Sequence, residues 1–230
     1  MSDYFLFIDT ETSGLPKSWE APYSTKGNWP SALQVSWIVY TKDGQKIKEE
    51  NRYIYEADVE ISPSSIKIHG IERHFLRVLG EPRKDVLTAL TLDLNKYNPL
   101  VIGHFIELDF HVLSADFFRI NAENPLAKLP TFCTMVATSH LMQNPQKKFL
   151  KLGELYEMLF NKPLLNQHNA LYDVTATAEC FFELIKIKEI TSLNQPPIKL
   201  QRNNPMINVL GLLVIILIVI LVIMIIAFNK

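Results

Sequence analysis

The chain has 230 residues, 48% of them hydrophobic, and its 23 Lys and Arg nearly cancel its 24 Asp and Glu. This excludes a disordered chain, and the formal net charge of -1 excludes a protein held on a polyanion by its overall field, so any polyanion must be met through a local groove or a bound metal. The 2 cysteines, Cys133 and Cys180, lie in apolar stretches without CxxC spacing, which excludes a disulfide-stapled scaffold, gives a zinc site no support and fits a reducing compartment.

Asp3 to Asp9 (DYFLFID) is a near-continuous apolar run suited to a strand buried on both faces. Leu33 to Thr41 and Ile47 to Glu56 predict two further strands around the turn Lys42-Asp43-Gly44, an antiparallel meander. Trp19, Tyr23 and Trp29 fall in the loop between the first two strands, where they pack the loop or stack on a ligand. Lys84 to Tyr97 carries Val86, Leu87, Leu90 and Leu94 at helical spacing, and Pro99 ends it. A short strand at Leu100 to Gly103 precedes a helix from about Glu107 to Ile120, and Thr131 to Thr134 reads as an edge strand. Helical stretches follow at Met135 to Met142, Leu152 to Phe160 and Leu171 to Lys188. Three strands, helix, strand, helix, strand and helices predict an α/β domain around a mixed sheet flanked by helices.

The C-terminal run is of a different kind. From Met206 to Phe228, 23 residues carry no charge and no polar face. A helix of that length is about 34 Å long, enough to cross a hydrocarbon core of ~30 Å. With only Asn229 and Lys230 beyond it, the run predicts a single-pass C-terminal transmembrane helix. Lys199 and Arg202 precede it, which places the large N-terminal part in the cytoplasm. Residues 191–205, rich in Asn, Gln and Pro, predict a linker between a domain at 1–190 and the helix at 206–228.

Three stretches carry acids that could act together. In FIDTETSGLP, residues 7–16, Asp9 and Glu11 are two apart on a strand and project from one face. Two such carboxylates repel unless something positive lies between them, most commonly Mg2+ or Mn2+, and the alternative is a strand end with two solvated acids. In GHFIELDFHVL, residues 103–113, Asp109 lies on an apolar helix, with Glu107 and Asp116 equally readable as helix-surface acids. In HNALYD, residues 168–173, His168 and Asp173 would stand about 140° apart on one helix. They converge if His168 is in the loop and Asp173 in the first turn, with Asn166 or Asn169 as the cap.

FIDTETSGLP, VIGHFIELDFHVL and HNALYDVTATAECFFEL resemble, in order and spacing, the three motifs of the DEDDh exonuclease superfamily, which includes proofreading subunits, RNase T and oligoribonuclease. The resemblance covers Asp3 to Ile187 and includes the His-x4-Asp form of the last motif. It departs in the second motif, which usually reads His-Asn; here Phe105 follows His104, with no metal ligand lost, so activity is expected to survive.

The resemblance implies a ribonuclease H-like fold and a 3′-5′ exonuclease. Asp9, Glu11, Asp109 and Asp173 would hold two divalent ions, Mg2+ or Mn2+, with His168 taking a proton from the attacking water. Thr12 to Leu15 would line the pocket for the terminal nucleotide, with Leu15 against a base, and His69 would either approach the substrate or serve as a structural residue before the Gly70 turn. Lys147, Lys148 and Lys151 are a small basic run, readable as phosphate contacts or as solvated surface. The expected partners are 3′ ends of single-stranded DNA, or RNA, and a membrane. The alternatives are a catalytically silent nucleic-acid-binding membrane module, resting on Phe105, and a structural Ca2+ site, for which no EF-hand loop is present.

Overall fold

The computed structural model describes residues 2–201. The expected transmembrane helix at 206–228 lies outside them, and among the described residues no helix is long and apolar enough to cross a membrane.

The chain folds in the order β1 (Tyr4–Thr12), β2 (Ala32–Thr41), β3 (Lys46–Tyr53), α1 (Pro63–His69), α2 (Arg73–Leu79), α3 (Arg83–Tyr97), β4 (Leu100–Gly103), α4 (Ile106–Arg119), β5 (Thr131–Cys133), α5 (Thr134–Ala137), α6 (Leu152–Phe160) and α7 (Ala170–Lys186). The five strands form one mixed sheet in the order β3-β2-β1-β4-β5, antiparallel across β1, β2 and β3 and parallel from β1 to β4 to β5. The expected strands and the mixed sheet are present, and β5 is an edge strand. The apolar run of β1 is buried on both faces because helices cover both. Leu6 and Ile8 point to the cluster with α3 and α4, and Phe5 and Phe7 to the cluster with α6 and α7, where the rings of Phe7 and Phe181 stand 5.3 Å apart.

The structure departs from expectation at Met135 to Met142 and adds helices and contacts that the sequence did not predict. Helices α1 and α2 have 7 residues each, too few for an apolar period to declare itself. Met135 to Met142 is not one helix but the end of α5 and a 3-10 turn, Ser139–Leu141. The described part of the expected linker, residues 191–201, carries no helix or strand but packs along the sheet edge. Leu193 lies on one core cluster and Ile198 and Leu200 on the other. Between them the Gln195 amide accepts from Cys133 N at 2.8 Å and donates to Cys133 O at 3.1 Å, satisfying two backbone groups that an edge strand leaves open.

Candidate active site

The site lies where β1 outruns its parallel neighbour. β4 pairs with β1 only from Phe5 to Phe7, while β1 continues to Thr12 against β2. Beyond the end of β4 the Thr10 amide has no strand partner on that side, and Asp109 of α4 takes it. Asp109 Oδ1 accepts from Thr10 N at 2.9 Å and from Thr10 Oγ1 at 2.7 Å. Thr10 faces the α3 and α4 side, whereas Asp9 and Glu11 face α7. Asp109 therefore reaches the acidic pair around the strand end.

On the α7 side, Asp9, Glu11 and Asp173 each offer one carboxylate oxygen, and these oxygens lie within 4.8 Å of one another. The loop geometry that allows this is the one left open above: α7 starts at Ala170, Asn169 caps it by accepting from Leu171 N at 3.1 Å, and Asp173 falls in the first turn. His168 is outside the helix at φ 65°, and its backbone N–H donates to Asp173 Oδ2 at 2.9 Å. The structure thus assembles Asp9, Glu11 and Asp173 with His168 beside them, while one oxygen of Asp109 is committed to Thr10.

Electrostatics set this cluster apart from the other buried acid of α4. Asp116, readable in the sequence as a surface acid, is fully buried. It takes Arg83 Nε at 2.9 Å, Arg119 at 2.5 Å and the Ala32 amide at 3.0 Å, so two guanidinium groups neutralise it and it ties α4 to the start of β2. No lysine or arginine pairs with Asp9, Glu11, Asp109 or Asp173 among the described residues. Burial, and then the charges of Asp109, Asp173 and Glu11, push the Asp9 carboxyl well above the usual carboxylate range. Burial and the charges of Asp173 and Asp109 push Glu11 up to about 8. Burial raises Asp109 to about 7 against the lowering effect of its bonds from Thr10, and raises Asp173 as well. Asp173 Oδ1 is buried without a hydrogen-bond partner. An orphaned carboxylate oxygen in a knot of repelling acids is a donor set that fits hard divalent cations.

Around the cluster, His69 is locked by backbone: its Nδ1 accepts from Ile71 N at 2.9 Å, and its Nε2–H donates to Thr12 O at 3.2 Å. Thr12 Oγ1 donates to Gly14 O at 2.7 Å, and Leu15 stands 72% exposed at the start of the following loop. His69 therefore clamps the turn that presents Leu15. His104 is neutral, pushed down to about 4 by burial, and spans Thr134 Oγ1 and Leu150 O at 3.0 Å each. Of the loop aromatics, Trp29 is buried and packs, its Nε1 donating to Ala21 O at 2.9 Å. Tyr23 Oη and His111 Nδ1 share a hydrogen bond at 2.8 Å, and Trp19 is half-buried.

Gln34, which no motif marks, belongs to the site. It is fully buried on β2 directly opposite Glu11, donates to Asn51 at 2.8 Å and Asn169 at 3.2 Å, and accepts from Ala170 N at 3.2 Å. It thereby fixes the start of α7, and with it Asp173, against the sheet. Its signal was available: Gln34 and Ser36 are polar residues two apart in an otherwise apolar strand.

Residues 6–181 match the RNase_T family of exonucleases. No curated protein matches the chain in sequence. Among solved structures it is similar to E. coli exonuclease I in complex with a dT13 oligonucleotide, at 20% identity and a TM-score of 0.65 over 80% of this chain and 41% of that one. The zinc-bound exonuclease I complex with single-stranded DNA gives 19% and 0.66 over 81% and 41%. Cell-death related nuclease 4 gives 13% and 0.62 over 81% and 64%. The chain thus spans about two fifths of the length of exonuclease I, and the likeness establishes a ribonuclease H-like exonuclease fold.

Proposed function

The chain belongs to the RNase_T exonuclease family, the match running over residues 6–181 of its 230, and from that premise we propose that it is a metal-dependent 3′-5′ exonuclease. Its substrate in this reading is single-stranded nucleic acid, DNA in preference to RNA, and its product nucleoside 5′-monophosphates. The observation that carries the reading is the cluster of Asp9, Glu11 and Asp173 oxygens within 4.8 Å, with Asp173 Oδ1 unpartnered and Asp109 alongside. These four residues would hold two divalent ions, Mg2+ or Mn2+. When bound, such ions lower the pKa of an attacking water and stabilise charge on the leaving oxygen.

The chain's own residues have separate tasks. His168, exposed in the loop before α7, takes the proton of the attacking water. Asp173 holds that loop through the His168 N–H. Thr12 and Leu15 receive the terminal nucleotide on a turn that His69 clamps. The DNA preference draws on the exonuclease I structures, which hold dT13 and dA16 oligonucleotides. A single-pass C-terminal anchor at residues 206–228, with the domain on the cytoplasmic face, is proposed from the sequence alone.

The test uses the full chain in mild detergent on 5′-labelled single-stranded DNA and RNA of one sequence, in Mg2+, Mn2+ or EDTA, with Asp9→Ala as control. A metal-dependent ladder shortening from the 3′ end, lost in Asp9→Ala, is expected. A folded chain that shortens neither strand would overturn the reading in favour of a silent nucleic-acid-binding membrane module, and full activity of Asp9→Ala would overturn the assignment of the acidic cluster as the metal site.

A further inference from the structure

We propose that Phe105 and Trp19 form a stacking platform for a nucleobase of the bound strand, a binding subsite that rests on the exonuclease reading above. The first observation is conformational. Phe105 precedes α4 at φ 69° and ψ 39°, the left-handed region, and its side chain makes no capping bond. A bulky side chain is disfavoured there, whereas asparagine adopts it readily. Among the described residues, four of the seven non-glycine positions with positive φ are asparagine, and Phe105 is the one apolar residue. The chain therefore carries an aromatic ring where backbone preference favours asparagine.

The second observation is place. Phe105 sits in the turn between β4 and α4. Gly103, two residues back, is so close to β1 that a Cβ there would meet Ile8 O at 3.2 Å, and Ile8 immediately precedes Asp9. Asp109 lies one helical turn further on. The ring is half-buried, with its centroid 5.8 Å from that of Trp19. Trp19 is itself half-buried and rigidly set. It meets the rings of Trp29 and His111, each at 6.1 Å, and the Asn28 amide bridges Ser18 N and Ser18 O next to it at 2.9 Å each. The loop carrying Trp19 is the one that leaves β1 just after Glu11 and presents Leu15. Phe105 thus stands at the start of the helix that carries Asp109, and Trp19 on the loop that leaves the strand carrying Asp9 and Glu11, both rings partly open. Aromatic faces at such a place bind a base by stacking, which tolerates any sequence.

The test measures binding and turnover separately. The full chain in mild detergent is mixed with single-stranded DNA carrying an abasic residue at the terminal, second or third position from the 3′ end, and binding is read by anisotropy in Ca2+. Wild type should lose about 5- to 100-fold in affinity at one of these positions, the range one stacked base commands. Phe105→Leu and Trp19→Leu should bind intact DNA that much more weakly and show no abasic penalty at that position. Phe105→Asn should do the same while melting roughly 2 to 4 °C higher, because the backbone strain is relieved. Equal abasic penalties in wild type and variants, or a Phe105→Asn protein that melts lower and binds as wild type, would overturn the platform and leave Phe105 as loop packing. A wild type that shows the abasic penalty but no metal-dependent turnover would overturn the exonuclease reading while sustaining the platform.

Discussion

Replacing Glu11 by glutamine should stabilise the metal-free protein at pH 8 and remove its response to divalent ions. Glu11 is 8% exposed, and burial together with the charges of Asp173 and Asp109 moves its carboxyl from 4.5 to about 8. The native state therefore keeps a proton that the unfolded chain has released, so metal-free stability falls as pH rises from about 4.5 and levels off above about 8. At about 1.4 kcal/mol for each unit of pKa difference, the window amounts to on the order of 5 kcal/mol. For a domain of this size that is roughly 10 °C in melting temperature. Glutamine keeps the shape and is neutral throughout. In EDTA the melting temperature of Glu11→Gln minus that of wild type should grow from near zero at pH 5 to roughly 10 °C at pH 8. In saturating Mn2+ the difference should reverse, because the ions neutralise the carboxylates they bind and the variant has lost a ligand. The assay is thermal melting of the full chain in mild detergent across pH, with and without Mn2+. A difference that is flat in pH would show that the Glu11 carboxyl is not raised by its surroundings, and an equal gain from Mn2+ in both proteins would show that Glu11 does not bind the ions.

Asp116→Ala should destabilise the fold by about 3 to 5 kcal/mol in urea titration, since it strands the buried Arg83 guanidinium, while Mn2+ affinity of the folded fraction stays unchanged. His168→Ala should lower kcat by about 10²- to 10⁴-fold with Mn2+ binding retained, because its ring is assigned to proton transfer and its contact with Asp173 is made by the backbone. Gln34→Ala should cost about 1 to 3 kcal/mol by leaving the Ala170 amide unpaired, and should raise the Mn2+ concentration for half-maximal turnover as the start of α7 loosens.

The features legible in the sequence were those that one element dictates by itself. A strand buried on both faces must be apolar throughout, which marks Phe5 to Ile8, and the period-two spacing of Asp9 and Glu11 sets both on one face whatever surrounds them. The cap geometry at Asn169 and the loop position of His168 were among the local alternatives the motif allowed, and the structure selects between them. What escaped depends on distant partners. Asp116 reads as a surface acid until Arg83, Arg119 and Ala32 are brought to it across the fold. That Asp109 bonds Thr10 follows from β4 ending short of β1, a matter of register between strands far apart in sequence. Gln34 acquires its role only when α7 is laid against β2, and Gln195 only when the chain returns to the open edge of β5. Phe105 was visible as a departure from the motif, but its left-handed backbone and its contact with Trp19 were not.

Asp9, Glu11, Asp109 and Asp173 are proposed to form a divalent-ion site. This is tested most directly by counting Mn2+ bound to the full chain at neutral pH by paramagnetic resonance titration, with Asp173→Asn alongside. Two ions per chain are expected in wild type and fewer in the variant. No bound ion in the folded wild type, or an undiminished count in Asp173→Asn, would contradict the proposal.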